Sequence, residues 1–542
     1  MLGLIQDWPL LLHRVIDYAA IQHPAREVVS RSVEGPVTRT TYAQIRLRAL
    51  KLAQCLARDG VAAGDRIATL AWNTGRHLEA WYGIAGVGAV YHTVNPRLFP
   101  EQIVWIVNHA SDRMMLVDLT FVPLLEAIAD KLPTIQRYVV LTDRAHMPAT
   151  KLKNAVCYED WLAQADGDFA WVDMDERAAA GMCYTSGTTG NPKGVVYSHR
   201  SNLLHAMQVS GNNGFGLSSH DSVLPIVPLF HANSWSLAFS APMAGSKLVM
   251  PGAKMDGESV FEMIELEGVT FSAAVPTVWL MLLQYLRKSG KRLTTLKRVA
   301  IGGAACPRVI LEAFEKDYGV EVVHAWGMTE MSPVGSTGTL KHSVENLEGD
   351  ALYDLKQKQG YAMFGVEMII TDDDGKHLPW DGKAFGRLKV RGSAVASAYY
   401  RIDDNILDDE GYFDTGDVAT IDANGYMQIT DRAKDVIKSG GEWISSIEIE
   451  NIAVGHPDVM EAAVIGIAHA KWDERPLLIV VGKDGQVPER EALLGYMQGR
   501  IARWWMPDDV QVIAEIPHTA TGKINKLKLR EMFRSYKLPT DV

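Results

Sequence analysis

Between residues 40 and 170 the chain alternates two textures. Stretches with apolar positions three and four apart, such as "TYAQIRLRALKLAQCLARDG", predict amphipathic helices. Short apolar runs, "RIATLAW", "GVGAVYHTV", "RMMLVD" and "RYVVLTD", predict buried strands. Helix and strand in alternation mean an α/β fold with a mostly parallel sheet. The pattern returns in "GVTFSAAVPTVWLMLLQYLRKSG" and in "LKRVAIGGAACPRVILEAFEKDYGVEVVHAWGMTE", where Pro307 marks the first turn of a helix after a Gly-Gly turn.

From Tyr361 onward short strands separated by Gly/Asp turns predict a small antiparallel or β-barrel-like subdomain. "DRAKDVIKSGGEWISSIEIENIAVGHPDV" then predicts a hairpin turning on Gly440 and Gly441, followed by a helix whose start carries the capping pattern Ser445-x-x-Glu448. Strand and helix alternate to the end in a compact α+β unit, which puts a domain boundary near Asp431 to Lys434.

Composition narrows the classes. The 542 residues have room for three or four domain-sized units. Apolar residues at 47% and charged residues at 22% are soluble-globular values, and no window approaches the ~20 apolar residues of a membrane helix. The start, broken by Asp7, Pro9, His13, Arg14 and Asp17, has no basic n-region, so the expected location is cytoplasmic. A net charge of -11 argues against nucleic acid as a partner. Cys55, Cys157, Cys183 and Cys306 form no CxxC pair and are expected to be reduced, buried thiols. The histidines make no HxxxH or HExxH pattern, which argues against zinc.

The chemistry concentrates in "CYTSGTTGNPKGVVYSHR". Thr185, Ser186, Gly187, Thr188, Thr189 and Gly190 offer hydroxyls and unhindered backbone N–H groups, and Lys193 adds a point charge, which together suit a polyphosphate. The hydroxyls also suit a magnesium ion that keeps several waters. The loop is not a Walker A motif, because Pro192 stands where that motif needs Gly before its Lys.

"YTSGTTGNPKGV" resembles the signature of the adenylate-forming superfamily, which groups acyl-CoA synthetases, peptide-synthetase adenylation domains and firefly luciferase. Further motifs follow in the family's order along essentially the whole chain. The resemblance implies a large N-terminal domain of α/β subdomains with the β-barrel-like subdomain (1–431), a hinge (432–434) and a small mobile α+β C-terminal domain (435–542). "AWGMTE" is similar to the segment that stacks on adenine and reaches the α-phosphate, implying roles for Ala325, Trp326, Gly327, Met328 and Thr329, with Glu330 and Thr185 holding Mg²⁺. Trp326 stands where Tyr is commoner, so stacking is retained while a phenol hydrogen bond is lost. Gly302, Gly303, Ala304 and Ala305 match the main chain that lines adenine and the acyl pocket. Asp417 and Arg432, with Ile429, match the ribose site, and Lys434 falls at the hinge. Lys438, Gly440, Gly441, Glu442 and Trp443 match the face presented to the CoA thiol, and Lys523 matches the lysine that enters the site during adenylation.

"PLFHANSWS" resembles the segment that closes over the reacting carboxylate, which implies that role for His231. Trp235, one helical turn on, is expected to wall the acyl pocket with Gly302, Gly327, Met331 and Pro333, Gly327 leaving depth. The chain is most similar to bacterial short- to medium-chain acyl-CoA ligases. The implied reaction joins a small carboxylic acid to CoA through an acyl-adenylate at the expense of ATP, with Mg²⁺ required; a homodimer is the implied assembly. Alternatives are a stand-alone adenylation or luciferase-like enzyme and a non-catalytic acyl or nucleotide sensor.

Overall fold

The computed structural model describes residues 1, 3–185, 191–433, 435–439, 442–483, 486–519 and 523–541, with 442 and 443 described in their backbone only. Ser186 to Gly190 of the phosphate loop, the expected hinge residue Lys434, and Gly440 and Gly441 lie outside the described residues, as do the side chains of Glu442 and Trp443.

The predicted short apolar runs become the strands Arg66–Leu70, Val90–Thr93, Met114–Val117 and Arg137–Val140, all parallel neighbours in a seven-stranded sheet. Ala179–Tyr184 joins them in parallel and Gly194–Ser198 closes the edge antiparallel, so the strand leading into the phosphate loop ends at the carboxyl end of this sheet. A nine-stranded sheet is built around six parallel strands: Glu27–Arg31, Lys247–Met250, Ser222–Pro225, Phe271–Ala274, Arg298–Ile301 and Glu321–Gly327. In both sheets the functional loops leave the carboxyl ends of parallel strands, where open α/β sheets bind ligands.

The helices Tyr42–Arg58, Gly75–Gly86 and Leu237–Ala244 contribute Tyr42, Trp81, Tyr82 and Phe239 to one continuous core with strands of both sheets. Burying such a side chain is worth about 1.5–3 kcal/mol. Thr41 starts the first of these helices with a reciprocal capping box to Gln44. A Cβ on Gly83 would lie 2.6 Å from Leu52, so the first two helices approach as closely as they do only because Gly83 has no side chain.

Val366–Thr371, Phe385–Gly392, Phe413–Ile421 and Met427–Arg432 form a four-stranded antiparallel sheet, the smaller subdomain expected after Tyr361. The C-terminal unit has its own five-stranded sheet and core. Ile437–Ser439 and Glu442–Ile444 pair antiparallel, flanking the predicted hairpin position, and Ser445 caps the helix Ser446–Val454 through the Glu448 amide. All four cysteines are free and buried.

Candidate active site

Asp417 and Arg432 face each other across two paired strands, and the Arg432 Nε donates to Asp417 Oδ1 at 2.8 Å. The other carboxylate oxygen accepts the Trp326 indole N–H at 3.0 Å. Burial raises the Asp417 pKa, and Arg432, Trp326 and Lys523 oppose that rise. The structure thus refines one expectation: with Trp in place of Tyr the hydrogen bond is made by the indole instead of a phenol.

Glu330 is buried, and its Oε1 accepts from the Tyr399 hydroxyl at 2.7 Å. Lys193 stands 4.7 Å over the Tyr399 ring, a cation–π contact. Tyr197 donates to the Thr329 carbonyl at 2.8 Å, and Thr185 bonds Lys193 through the backbone. Tyr399 and Tyr197 therefore tie the phosphate loop's flanks to the Thr329–Glu330 segment, although neither stood out in the sequence. No group of three or more His, Cys, Asp or Glu side chains forms a metal site among the described residues. Glu330 and Thr185, the residues expected to hold Mg²⁺, carry oxygen donors only, which is the chemistry of a Mg²⁺ ion that takes its remaining oxygens from phosphate and water.

Lys523 comes from the C-terminal unit. The residue as a whole is exposed, while its ammonium end lies within electrostatic reach of Arg432, Asp417 and Glu330. Burial lowers its ammonium to about 8, Arg432 lowers it further, and Asp417 and Glu330 work in the opposite sense. His231 is lowered to about 4, by burial first and then by Lys523 and Arg97. It is therefore neutral at physiological pH.

Downstream of His231 the backbone departs from the expected helical turn. Ala232, Asn233, Ser234, Trp235 and Ser236 have φ of 45°, 55°, 52°, 51° and 68°, a left-handed turn built without glycine. Each such residue costs about 1–2 kcal/mol, so the surroundings must hold it. The turn lays the Trp235 indole against the Gly-Gly strip: a Cβ on Gly302 would fall 3.1 Å from its Cη2 and 2.6 Å from the Ala325 carbonyl oxygen. Gly303 has φ +80°, with Val275 as its nearest neighbour. Ala304 is exposed and Ala305 half-buried beyond it.

Two pocket assignments change. A Cβ on Gly327 would meet the Pro333 carbonyl oxygen at 2.0 Å, so this glycine permits a backbone crossing at a β-bulge and does not supply pocket depth. Met331 is buried with Trp326 in the core of the four-stranded sheet, with Met328 and Ile429 packed beside it, whereas Trp235 belongs to the main core. The structure groups Met331 with Trp326 and not with Trp235. Lys438 is exposed on the strand Ile437–Ser439, its amide bonded to Glu474.

Residues 16–400 match the AMP-binding enzyme family, and residues 448–523 match the C-terminal domain of AMP-binding enzymes. The chain belongs to the AMP-binding enzyme family. It is 48% identical over 536 residues to a 3-methylmercaptopropionyl-CoA ligase of Ruegeria pomeroyi, covering 98% of this chain and 99% of the relative. It is 45% identical over 534 residues to a medium-chain-fatty-acid–CoA ligase of Ectopseudomonas oleovorans, covering 98% of each. The crystal structure of an anthranilate CoA ligase in complex with anthranoyl-AMP superimposes with a TM-score of 0.85 at 24% identity, over 97% of this chain and 98% of that one, which shows the shared fold. Among the described residues no helix is long and apolar enough to cross a membrane.

Proposed function

We propose that this enzyme is an ATP-dependent acyl-CoA ligase for short- to medium-chain carboxylic acids. The observation that carries the reading is that the Asp417–Arg432 pair, Glu330 and His231 all lie within electrostatic reach of Lys523, which comes from the C-terminal unit. That arrangement suits the first half-reaction. An acid carboxylate oxygen attacks the α-phosphorus of ATP, and the bond to pyrophosphate breaks. Asp417 accepts from the ribose hydroxyls, Trp326 stacks on adenine, and the Lys523 ammonium stabilises charge on the phosphate and carboxylate oxygens. Neutral His231 orients the carboxylate without competing for it as a cation. Bound Mg²⁺, held by Glu330 and Thr185, would neutralise phosphate charge.

In the second half-reaction the CoA sulfur attacks the acyl carbonyl carbon, AMP leaves, and the thiol proton passes to solvent. The C-terminal unit, 435–542, turns about the hinge at 432–434, withdrawing Lys523 and presenting the hairpin of Lys438 and residues 440–443. Trp235 against Gly302 limits pocket depth, which favours the shorter acids. Acids with a thioether such as 3-methylmercaptopropionate fall within this range, a choice supported by the name of the Ruegeria relative. The buried, free cysteines suit a reducing cytoplasm. The exposed Leu4, Ile5 and Trp8 support a homodimer, which light scattering tests.

The decisive assay is CoA-dependent AMP formation with ATP and Mg²⁺, over acetate, butyrate, 3-methylmercaptopropionate, octanoate and palmitate, beside Lys523→Ala. A maximum among short to medium acids that vanishes in the variant is expected. ATP binding without AMP formation from any acid would overturn the ligase and favour a sensor.

A further inference from the structure

The left-handed turn that presents His231 and Trp235 is fastened from behind by a buried polar network. The Tyr91 hydroxyl donates to Asn233 Oδ1 at 3.3 Å, Asn202 Nδ2 donates to the Tyr91 oxygen at 3.1 Å, and Asn233 Nδ2 donates to Asn202 Oδ1 at 3.2 Å. The three side chains close a ring, each serving both neighbours. Asn233 and Tyr91 are fully buried and Asn202 is 1% exposed. Ser234 adds a bond from its hydroxyl to the Val227 carbonyl at 2.7 Å.

Tyr91 is itself locked. Its ring stacks on Trp81 at 4.5 Å with planes 10° apart, and its hydroxyl end sits over Gly181, where a Cβ would lie 2.2 Å from Cζ. The anchor therefore rests on two strands of the seven-stranded sheet and on the helix His199–Ser210, none of which touches the Gly302–Gly303 strip through these residues. A ring of buried polar groups with every member satisfied specifies one arrangement, and losing one member leaves each of the other two with a buried polar atom short of a partner.

We propose that Asn233, Asn202 and Tyr91 are positioning residues for Trp235, and through it set the length of acid the enzyme accepts. They touch no substrate. Their effect is to hold the turn so that the indole stays against Gly302. Loosening the ring lets the indole withdraw and admits longer acids. This inference rests on the ligase reading above.

The variants Tyr91→Phe, Asn202→Ala and Asn233→Gly separate positioning from mere backbone tolerance. Tyr91→Phe keeps the stacked ring and removes only the hydroxyl, so it folds even where the asparagine changes do not. Asn233→Gly keeps a residue at ease with positive φ and removes only the amide. The first readout is kcat/KM for octanoate relative to butyrate, with ATP KM alongside. The expected result is a rise in this ratio of three-fold or more in Tyr91→Phe and Asn233→Gly, ATP KM unchanged. A smaller change, or an equal loss for every acid, would overturn the proposal, since a purely structural role lowers all acids together. The second readout is amide hydrogen exchange of peptides spanning 229–240, which needs no turnover. Faster exchange in Tyr91→Phe is expected; unchanged protection would overturn the anchor even in a protein that ligates no acid, whereas absent ligation by the parent enzyme would count only against the function.

Discussion

Trp326→Phe isolates one hydrogen bond at the proposed ribose site. The indole N–H donates to an Asp417 carboxylate that is 2% exposed, and its removal leaves that carboxylate to Arg432 alone, a guanidinium whose side chain is 41% exposed. A hydrogen bond to a charged group contributes about 1.5–3 kcal/mol. At 1.4 kcal/mol per decade, kcat/KM for ATP should fall by about ten- to a hundred-fold. Phenylalanine keeps an aromatic face for adenine, so the loss tests the hydrogen bond and not the stacking. kcat at saturating ATP and the acid KM should change little, because the lost interaction serves nucleotide binding.

The same variant has a signature in pH. Trp326 is among the groups that hold the Asp417 pKa down against burial. Without it the pKa rises further, and the acidic limb of kcat/KM for ATP moves to higher pH. The assay is steady-state AMP formation from pH 5 to 9, with thermal melting beside it to register the smaller ring among Met331 and its neighbours. A fall in kcat/KM for ATP of less than two-fold, or an acidic limb that stays in place, would refute the role given to the indole.

Three other outcomes follow from the charges at the site. Lys523, lowered to about 8, carries its charge below that pH and loses it above, so kcat/KM for adenylate formation should decline above about pH 8; Lys523→Arg, always charged, should lack that decline, and its persistence would refute the assignment. Burial raises the folded pKa of Asp417, so the folded state binds the proton more tightly and stability falls as pH rises above the ordinary carboxylate range. Asp417→Asn should therefore melt no lower than the parent at pH 7 while losing ATP turnover by more than a hundred-fold, and a drop of many degrees would contradict it. Ser446 donates to Asp431 at 2.5 Å and accepts from Lys526, joining the C-terminal unit to the strand before the hinge. Ser446→Ala should slow adenylate formation several-fold while sparing thioester formation from supplied acyl-adenylate, and equal loss in both would argue against a conformational role.

What could be read along the chain was whatever depends on neighbours in sequence. Periodicity placed the parallel strands, because a buried strand needs four or five consecutive apolar residues, as in Met114–Val117. Resemblance to the family's motifs named Asp417 and Arg432 as candidates, and only the structure shows them paired on adjacent strands of one meander. Contacts between distant segments were not legible. Tyr399 gives no local sign that it will reach Glu330, and Gly327 reads as an open pocket position until Pro333 is seen to fill the space. The left-handed turn was the hardest feature to foresee. "ANSWS" has no glycine, and its five positive φ angles are sustained by Tyr91 and Asn202, each at least thirty residues away in the chain. Local propensity opposes that turn, so its presence beside His231 shows tertiary contacts overriding backbone preference.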